Sequence, residues 1–298
     1  MVSTQQAYRD YLQKEKNYSS HTILAYLNDI VEFELFLKEQ DSASILEEVN
    51  YSQIRSWIVQ LVEHGISNTS VNRKMSSLKS FYKFLLKTKQ IEINPLQKHK
   101  SLKMPKKVQV PFSEKELELV FDENDYPDDF EGIRNRLIIE LFYATGIRRA
   151  ELIGLELSAF SPYAKTLKVL GKRNKERILP LLDCTIELLN RYQEVRKTLP
   201  SISSDNLLIL NKNGHKVSET FVYRLINDYF SKVSEKVKKS PHVLRHTFAT
   251  HLLNNGADLN SVKELLGHAS LSSTQIYTHS SLAELKRVYQ DAHPRNRK

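Results

Sequence analysis

The chain has 298 residues, with 44 Lys and Arg against 35 Asp and Glu, a formal charge of +9. That length allows two domains with separate cores, and the basic balance favours a polyanionic partner, nucleic acid before anionic membrane. Cys184 is the only cysteine, which excludes an intramolecular disulfide and any multi-cysteine zinc site. The opening Met1-Val2-Ser3-Thr4-Gln5-Gln6 carries no charged-then-apolar signal segment. No apolar run approaches the roughly 20 residues of a membrane span, so a cytoplasmic protein is expected.

Residues 1 to 100 read as helical. Tyr8, Tyr11 and Leu12 set one apolar face, and Ile23, Leu24, Tyr26, Leu27, Ile30, Phe33, Phe36 and Leu37 continue at helical spacing behind the candidate N-caps Ser19 and Ser20. A third helix is expected from about Ser52 to His64, stopping at Gly65. A fourth starts after Ser67 and carries Val71, Met75, Leu78, Phe81, Tyr82, Leu85 and Leu86. Four helices with short connections suggest a small bundle. From Pro95 to Pro111 the chain turns lysine-rich and is broken again at Pro105. Its core, residues 101–111, is expected as a linker, either a solvated strap or a basic strap along phosphates.

The second piece, 112–298, opens with Ser113-Glu114-Lys115-Glu116, a capping box. A strongly apolar helix follows from about Arg134 to Ala144 and stops at Gly146. Thr166–Leu170 and Arg177–Pro180, joined by the polar turn Gly171-Lys172-Arg173-Asn174-Lys175-Glu176, read as a β-hairpin. Further helices are expected at 184–197, 219–236, 241–254, 259–266 and 272–278, and an amphipathic tail helix at 281–290. Cys184, among Leu181, Leu182 and Ile186, suits packing better than chemistry. The fold class is mainly α with a small β-hairpin or sheet in the second domain.

The chemistry concentrates near the C-terminus. Ser240-Pro241 is a helix start, with Ser as N-cap and Pro at the first position. His242 and Arg245, three apart, share a face at the positive end of that helix, which suits an anion. Gly267 delivers His268 onto a turn, and Tyr277 follows nine residues later. Arg148 comes just after Gly146, with Glu151 one helical turn on, where a carboxylate can orient a guanidinium bidentately. Lys172 sits at the hairpin tip. Singly, each residue has an ordinary surface or capping explanation. Together they supply phosphate ligands and a phenolic nucleophile.

Thr145-Gly146-Ile147-Arg148-Arg149-Ala150-Glu151-Leu152, Gly171-Lys172-Arg173-Asn174-Lys175-Glu176-Arg177, Pro241-His242-Val243-Leu244-Arg245-His246, Leu265-Leu266-Gly267-His268 and Ile276-Tyr277-Thr278-His279 resemble, in order, the motifs of the tyrosine recombinases (phage-integrase family), of the XerC/XerD type. Tyr18-Ser19-Ser20-His21-Thr22 and the stretch from Ser70 to Tyr82 resemble that family's helical, SAM-like core-binding domain. Many relatives carry glycine at the position of Arg173, which affects the pose of Lys172. An added N-terminal arm-binding domain of the kind phage integrases often carry is not expected.

The resemblance implies a core-binding domain at 1–100, the linker at 101–111 and a catalytic domain at 112–298. It implies Tyr277 as nucleophile forming a 3′-phosphotyrosyl link, Arg148 and Arg245 as phosphate clamps, and His268 as a further phosphate donor. His242 is implied as proton acceptor or phosphate ligand, Lys172 as general acid and Glu151 as support for Arg148. No metal or other cofactor is implied. Arg73, Lys74 and Lys79 on the fourth helix are candidate DNA contacts. The implied partners are double-stranded DNA with a specific site, a homo- or hetero-tetramer with a second recombinase subunit, and a septal translocase of the FtsK type. The tail helix is expected to dock in trans. The implied role is chromosome-dimer resolution at a dif-like site. Rival readings are a mobile-element integrase of the same chemistry, a type IB topoisomerase and a non-cutting architectural DNA binder.

Overall fold

A computed structural model describes residues 4–104, 109–123, 126–171, 175–236, 238–267 and 279–296. The chain divides into two compact units, Met1–Lys107 and Val108–Lys298.

In the first unit α1 (Thr4–Asp10) runs into one π-helical turn and is followed by α2 (Ser20–Gln40), α3 (Tyr51–Glu63) and α4 (Asn68–Lys87). Each long helix begins where a short polar side chain satisfies a free amide. Ser19 accepts from Thr22, Ser67 accepts from Ser70, and Asn50 forms a reciprocal box with Gln53. The apolar stripes meet in one core: Ile30, Phe33 and Leu37 of α2, Ile54 and Trp57 of α3, and Val71, Leu78 and Phe81 of α4 are all buried. The Phe33 and Trp57 rings lie 4.9 Å apart. Burying each such side chain contributes about 1.5–3 kcal/mol, more than the helices' own propensity provides.

The opening of the proline- and lysine-rich stretch is fastened to the first unit. Leu96 is fully buried in the first core. The Asn72 amide both donates to the Leu102 carbonyl (2.9 Å) and accepts from its N–H (2.8 Å), and Asn68 donates to the Lys103 carbonyl. Residues 101–104 are therefore strapped to α4, because two asparagine amides satisfy backbone groups that an extended segment leaves open.

In the second unit α5 (Glu114–Glu118) starts at the Ser113/Glu116 capping box. The central helix α6 (Phe130–Thr145) starts at Asp129, earlier than its apolar run implies, because the Asp129 carboxylate accepts from Gly132 N–H. It is buried over most of its length, Arg134 and Glu140 included, with α8 (Asp183–Lys197), α9 (Glu219–Ser231) and α10 (Pro241–Asn254) around it. The hairpin is the larger part of a three-stranded antiparallel sheet. The strands are β1 (Phe160–Ser161), β2 (Thr166–Leu170) and β3 (Glu176–Pro180), with Leu167 opposite Leu179 and Val169 opposite Arg177. β1 is too short to show alternation in sequence. Helix α9 ends earlier than expected, and Lys236, beyond it, donates to Glu116 at 2.6 Å.

Two further short helices, α7 (Arg149–Ile153) and α11 (Leu259–Leu266), carry the site. The tail forms α12 (His279–Ala292). In the single chain α12 packs on its own unit. Leu285, Tyr289 and Ala292 are buried, the Tyr289 hydroxyl donates to the Ala144 carbonyl at 2.8 Å, and Lys286 donates to Ala164. The helix expected at 272–278 lies outside the described residues.

Candidate active site

Arg148 is placed by a helix end followed at once by a helix start. Helix α6 stops at Gly146, which adopts φ +58°, and a Cβ there would lie 2.5 Å from Phe248 Cδ1. Two residues later Arg148 is the N-cap of α7. Glu151 Oε2 accepts from the Arg148 backbone N–H at 2.8 Å, and its Oε1 accepts from Arg148 Nη1 at 2.7 Å. The expected pairing of Arg148 with Glu151 is thus present, and the carboxylate side of it is buried.

The carboxylate is shared. Arg177 of β3 donates from Nη1 to Oε1 (2.9 Å) and from Nη2 to Oε2 (2.7 Å). Burial alone pushes the Glu151 carboxyl up, but the Arg177 hydrogen bonds and charge, with the Arg148 amide and guanidinium, hold it down at about 2. Arg245, on α10, donates from Nη1 to the Gly146 carbonyl and from Nη2 to the Leu266 carbonyl at 2.6 Å.

The three arginines meet at the end of α11. Arg177 Nε donates to Leu265 O (3.0 Å), Arg245 Nη2 to Leu266 O, and Arg148 Nη2 to Gly267 O (3.2 Å). A helix leaves its last carbonyls unpaired and carries a partial negative charge there; here three consecutive carbonyls each take a different guanidinium. Gly267 closes the helix at φ +64°. Three guanidinia face one carboxylate, so the cluster is strongly positive. Burial, reinforced by Arg148 and Arg177 and opposed by Glu151, lowers Arg245 to about 10, and it remains charged at neutral pH.

His242 is exposed at the first turn of α10. Its pKa lies below the ordinary imidazole value, through partial burial and then the charges of Lys238, Arg149, Arg245 and Arg148, so it is available to accept a proton. Pro241 takes the first helical position as expected, but Ser240 does not cap with its side chain. Among the described residues its hydroxyl is buried without a partner, and the residue caps through its extended backbone. Lys172, His268 and Tyr277 lie outside the described residues; the chain neighbours of the first two, Gly171 and Gly267, belong to this cluster, a Cβ at Gly171 standing 3.5 Å from Glu151 Oε1 and one at Gly267 3.0 Å from Arg177 Cδ. Arg177 is the residue that motif reading passed over. Its signal was a charged side chain at an inward position of β3, in step with Leu179.

The first unit treats its candidates differently. Arg73 makes a two-pronged pair with the buried Asp29 (2.5 and 2.7 Å), leaving its side chain about half exposed. Lys74 is buried between Asp29 and Glu32, an inward pairing at odds with a groove contact. Lys79 is exposed. Among the described residues no group of His, Cys, Asp and Glu has metal-binding proximity, and no helix is long and apolar enough to cross a membrane.

The sequence and fold match known proteins along almost the whole chain. The phage integrase family matches residues 113–284, and its N-terminal SAM-like domain matches 6–89. Tyrosine recombinase XerC of Anoxybacillus flavithermus is 44% identical over 289 residues, 96% of each chain. XerC of Bacillus subtilis is 39% identical over 289 residues, 96% of this chain and 94% of that one. The solved structure of the XerH site-specific recombinase bound to difH substrate, a pre-cleavage complex, superposes with a TM-score of 0.68 at 26% identity, over 95% of this chain and 83% of that one. The chain belongs to the phage integrase family of tyrosine recombinases. Within that family it is of the Xer type, the site-specific recombinases, enzymes that cleave and rejoin DNA.

Proposed function

We propose that this recombinase resolves chromosome dimers at a dif-like site in the cytoplasm, with Tyr277 as nucleophile. The observation that carries the reading is the convergence of Arg148, Arg177 and Arg245 on the end of α11, one residue before His268. Planar guanidinia suit the equatorial oxygens of a phosphate under attack. Arg148 and Arg245 would hold those oxygens, their remaining N–H groups supplying the donors. His268 would add another donor.

Tyr277 attacks the scissile phosphorus through its phenolic oxygen, and the 5′-oxygen leaves as the phosphotyrosyl bond forms. A phenol with a pKa of about 10 needs a base or a positive site. His242, held below its usual pKa among cations, suits the task of accepting that proton. Lys172 would return a proton to the departing 5′-oxygen. The reverse attack by a 5′-hydroxyl from another strand restores the backbone. Because the covalent step conserves a phosphodiester's energy, no nucleotide is consumed.

Residues 1–100 would bind the core of the site and 112–298 would cut it, with 101–111 as linker. Strand exchange requires two sites, and hence a tetramer of this chain alone or with a second recombinase subunit. The relatives' XerC names and the difH substrate of the XerH complex support that reading. An FtsK-type translocase would act as activator.

A plasmid carrying two directly repeated dif-like sites tests the role. Incubation with the chain, with and without a second Xer subunit, should yield two smaller circles, and Tyr277→Phe should yield none. Relaxation of a site-free plasmid without exchange between sites would contradict it and favour a topoisomerase.

A further inference from the structure

Arg177 occupies an unusual place for an arginine. Position 177 shares the inward face of β3 with Leu179, and the residue is only 5% exposed. All three of its guanidinium nitrogens are bonded: Nη1 and Nη2 to the two oxygens of Glu151, and Nε to Leu265 O. The backbone is shaped around it. A Cβ at Gly267 would stand 3.0 Å from Arg177 Cδ, and one at Gly171 3.6 Å from its Nη1.

A buried ion pair contributes little net stability against well-packed apolar side chains, because desolvating both charges offsets their attraction. What this pair supplies is geometry. Each Glu151 oxygen serves both arginines: Oε1 accepts from Arg177 Nη1 and Arg148 Nη1, and Oε2 from Arg177 Nη2 and the Arg148 backbone. Arg177 thus fixes the rotation of the carboxylate and takes up part of its charge. Without it, Glu151 is free to turn wholly onto Arg148 and to neutralise the guanidinium that should face a phosphate.

The geometry points to Arg177 as a positioning residue for DNA cleavage, acting through Glu151 on Arg148. The inference rests on the functional reading above, in which Arg148 clamps the scissile phosphate. Lysine at 177 keeps the charge but cannot make three fixed bonds in one plane, so Arg177→Lys separates geometry from charge.

The test is single-turnover formation of the covalent adduct on a nicked substrate carrying a dif-like site, alongside DNA affinity and thermal unfolding. Arg177→Lys should slow adduct formation about 100-fold, the order seen for one misplaced transition-state donor, and leave DNA affinity within about threefold. A group acting through Arg148 loses its effect once Arg148 is already displaced. In an Arg148→Lys background the same change should therefore cost less than about threefold. An undiminished cost in that background, or an unchanged rate in the single variant, would overturn the inference. If Arg177→Lys unfolds, Glu151→Gln, which keeps the shape, must show the same loss of additivity with Arg148→Lys, and full additivity would overturn it equally. A wild-type chain that forms no Tyr277-dependent adduct would instead overturn the underlying reading.

Discussion

Arg148 is gripped at two points by one carboxylate: Glu151 accepts from its backbone N–H at 2.8 Å and from its Nη1 at 2.7 Å. The helix start that caps α7 is therefore also the device that aims a guanidinium. Stability and catalysis share this contact, so they should be lost together.

Glu151→Gln should destabilise the second unit by about 3 kcal/mol at neutral pH, the scale of breaking a buried pair, and slow cleavage by about 100-fold. The pH dependence has a definite window. The folded carboxyl lies at about 2, below its ordinary 4.5. Its contribution is present above about pH 4.5 and is lost as pH falls toward 2. Glu116, held at about 2 against burial by Lys236 and Ser113, shares that window, so the variant should flatten only part of the acid decline. His293 acts higher. Burial holds it at about 3 rather than 6.5, so its unfolded form takes up a proton first and stability begins to fall below about pH 6.5. Urea unfolding of both proteins from pH 7 to 3 checks this, and identical curves would contradict it.

The two positive-φ glycines of the site should respond unequally to alanine. Gly146→Ala places a methyl 2.5 Å from Phe248 Cδ1 in the core, whereas Gly267→Ala places one 3.0 Å from Arg177 Cδ. Both incur left-handed strain of about 1–2 kcal/mol. Gly146→Ala should melt lower, through added overpacking. Gly267→Ala should show the larger loss of cleavage relative to its loss of stability. Calorimetry beside adduct kinetics decides the order.

Arg245→Lys should keep a positive charge yet lose the two-carbonyl span from Gly146 to Leu266. Cleavage should fall by about 100- to 1,000-fold, with specific DNA affinity changed less than about fivefold. A band-shift titration and a cleavage time course on the same substrate check it.

Much of this was legible in residue order. Caps such as Ser19, Ser67 and Ser113, stops such as Gly146 and Gly267, and the apolar stripes fixed most helices within a few residues, because those signals are local. The pairing of Arg148 with Glu151 was legible for the same reason. Arg177 was not, because its partners lie 26 and 88 positions away and no local pattern reports a contact made through tertiary structure. Lys74 looked like a surface cation on a polar stretch of α4 until Asp29, 45 positions earlier, turned it inward. The tie from Asn72 to Leu102, 30 positions on, was hidden in the same way.

Asp29 is the keystone of the first unit's polar contacts. It accepts from Arg73, Lys74 and Ser77, the last at 2.6 Å. Asp29→Ala leaves the buried Lys74 with Glu32 alone and should lower that unit's stability by about 3–5 kcal/mol. Arg73→Ala, with its side chain half exposed, should cost less. Should the two prove equal in urea unfolding, the buried cluster is not what holds α2 to α4.

The most direct test of the central claim uses a nicked suicide substrate with a dif-like site, in chelator, with wild type and Tyr277→Phe in parallel. Wild type alone should form a protease-sensitive protein–DNA adduct, linked through a 3′-phosphate. An adduct that persists in Tyr277→Phe, or cleavage that requires added metal, would contradict it.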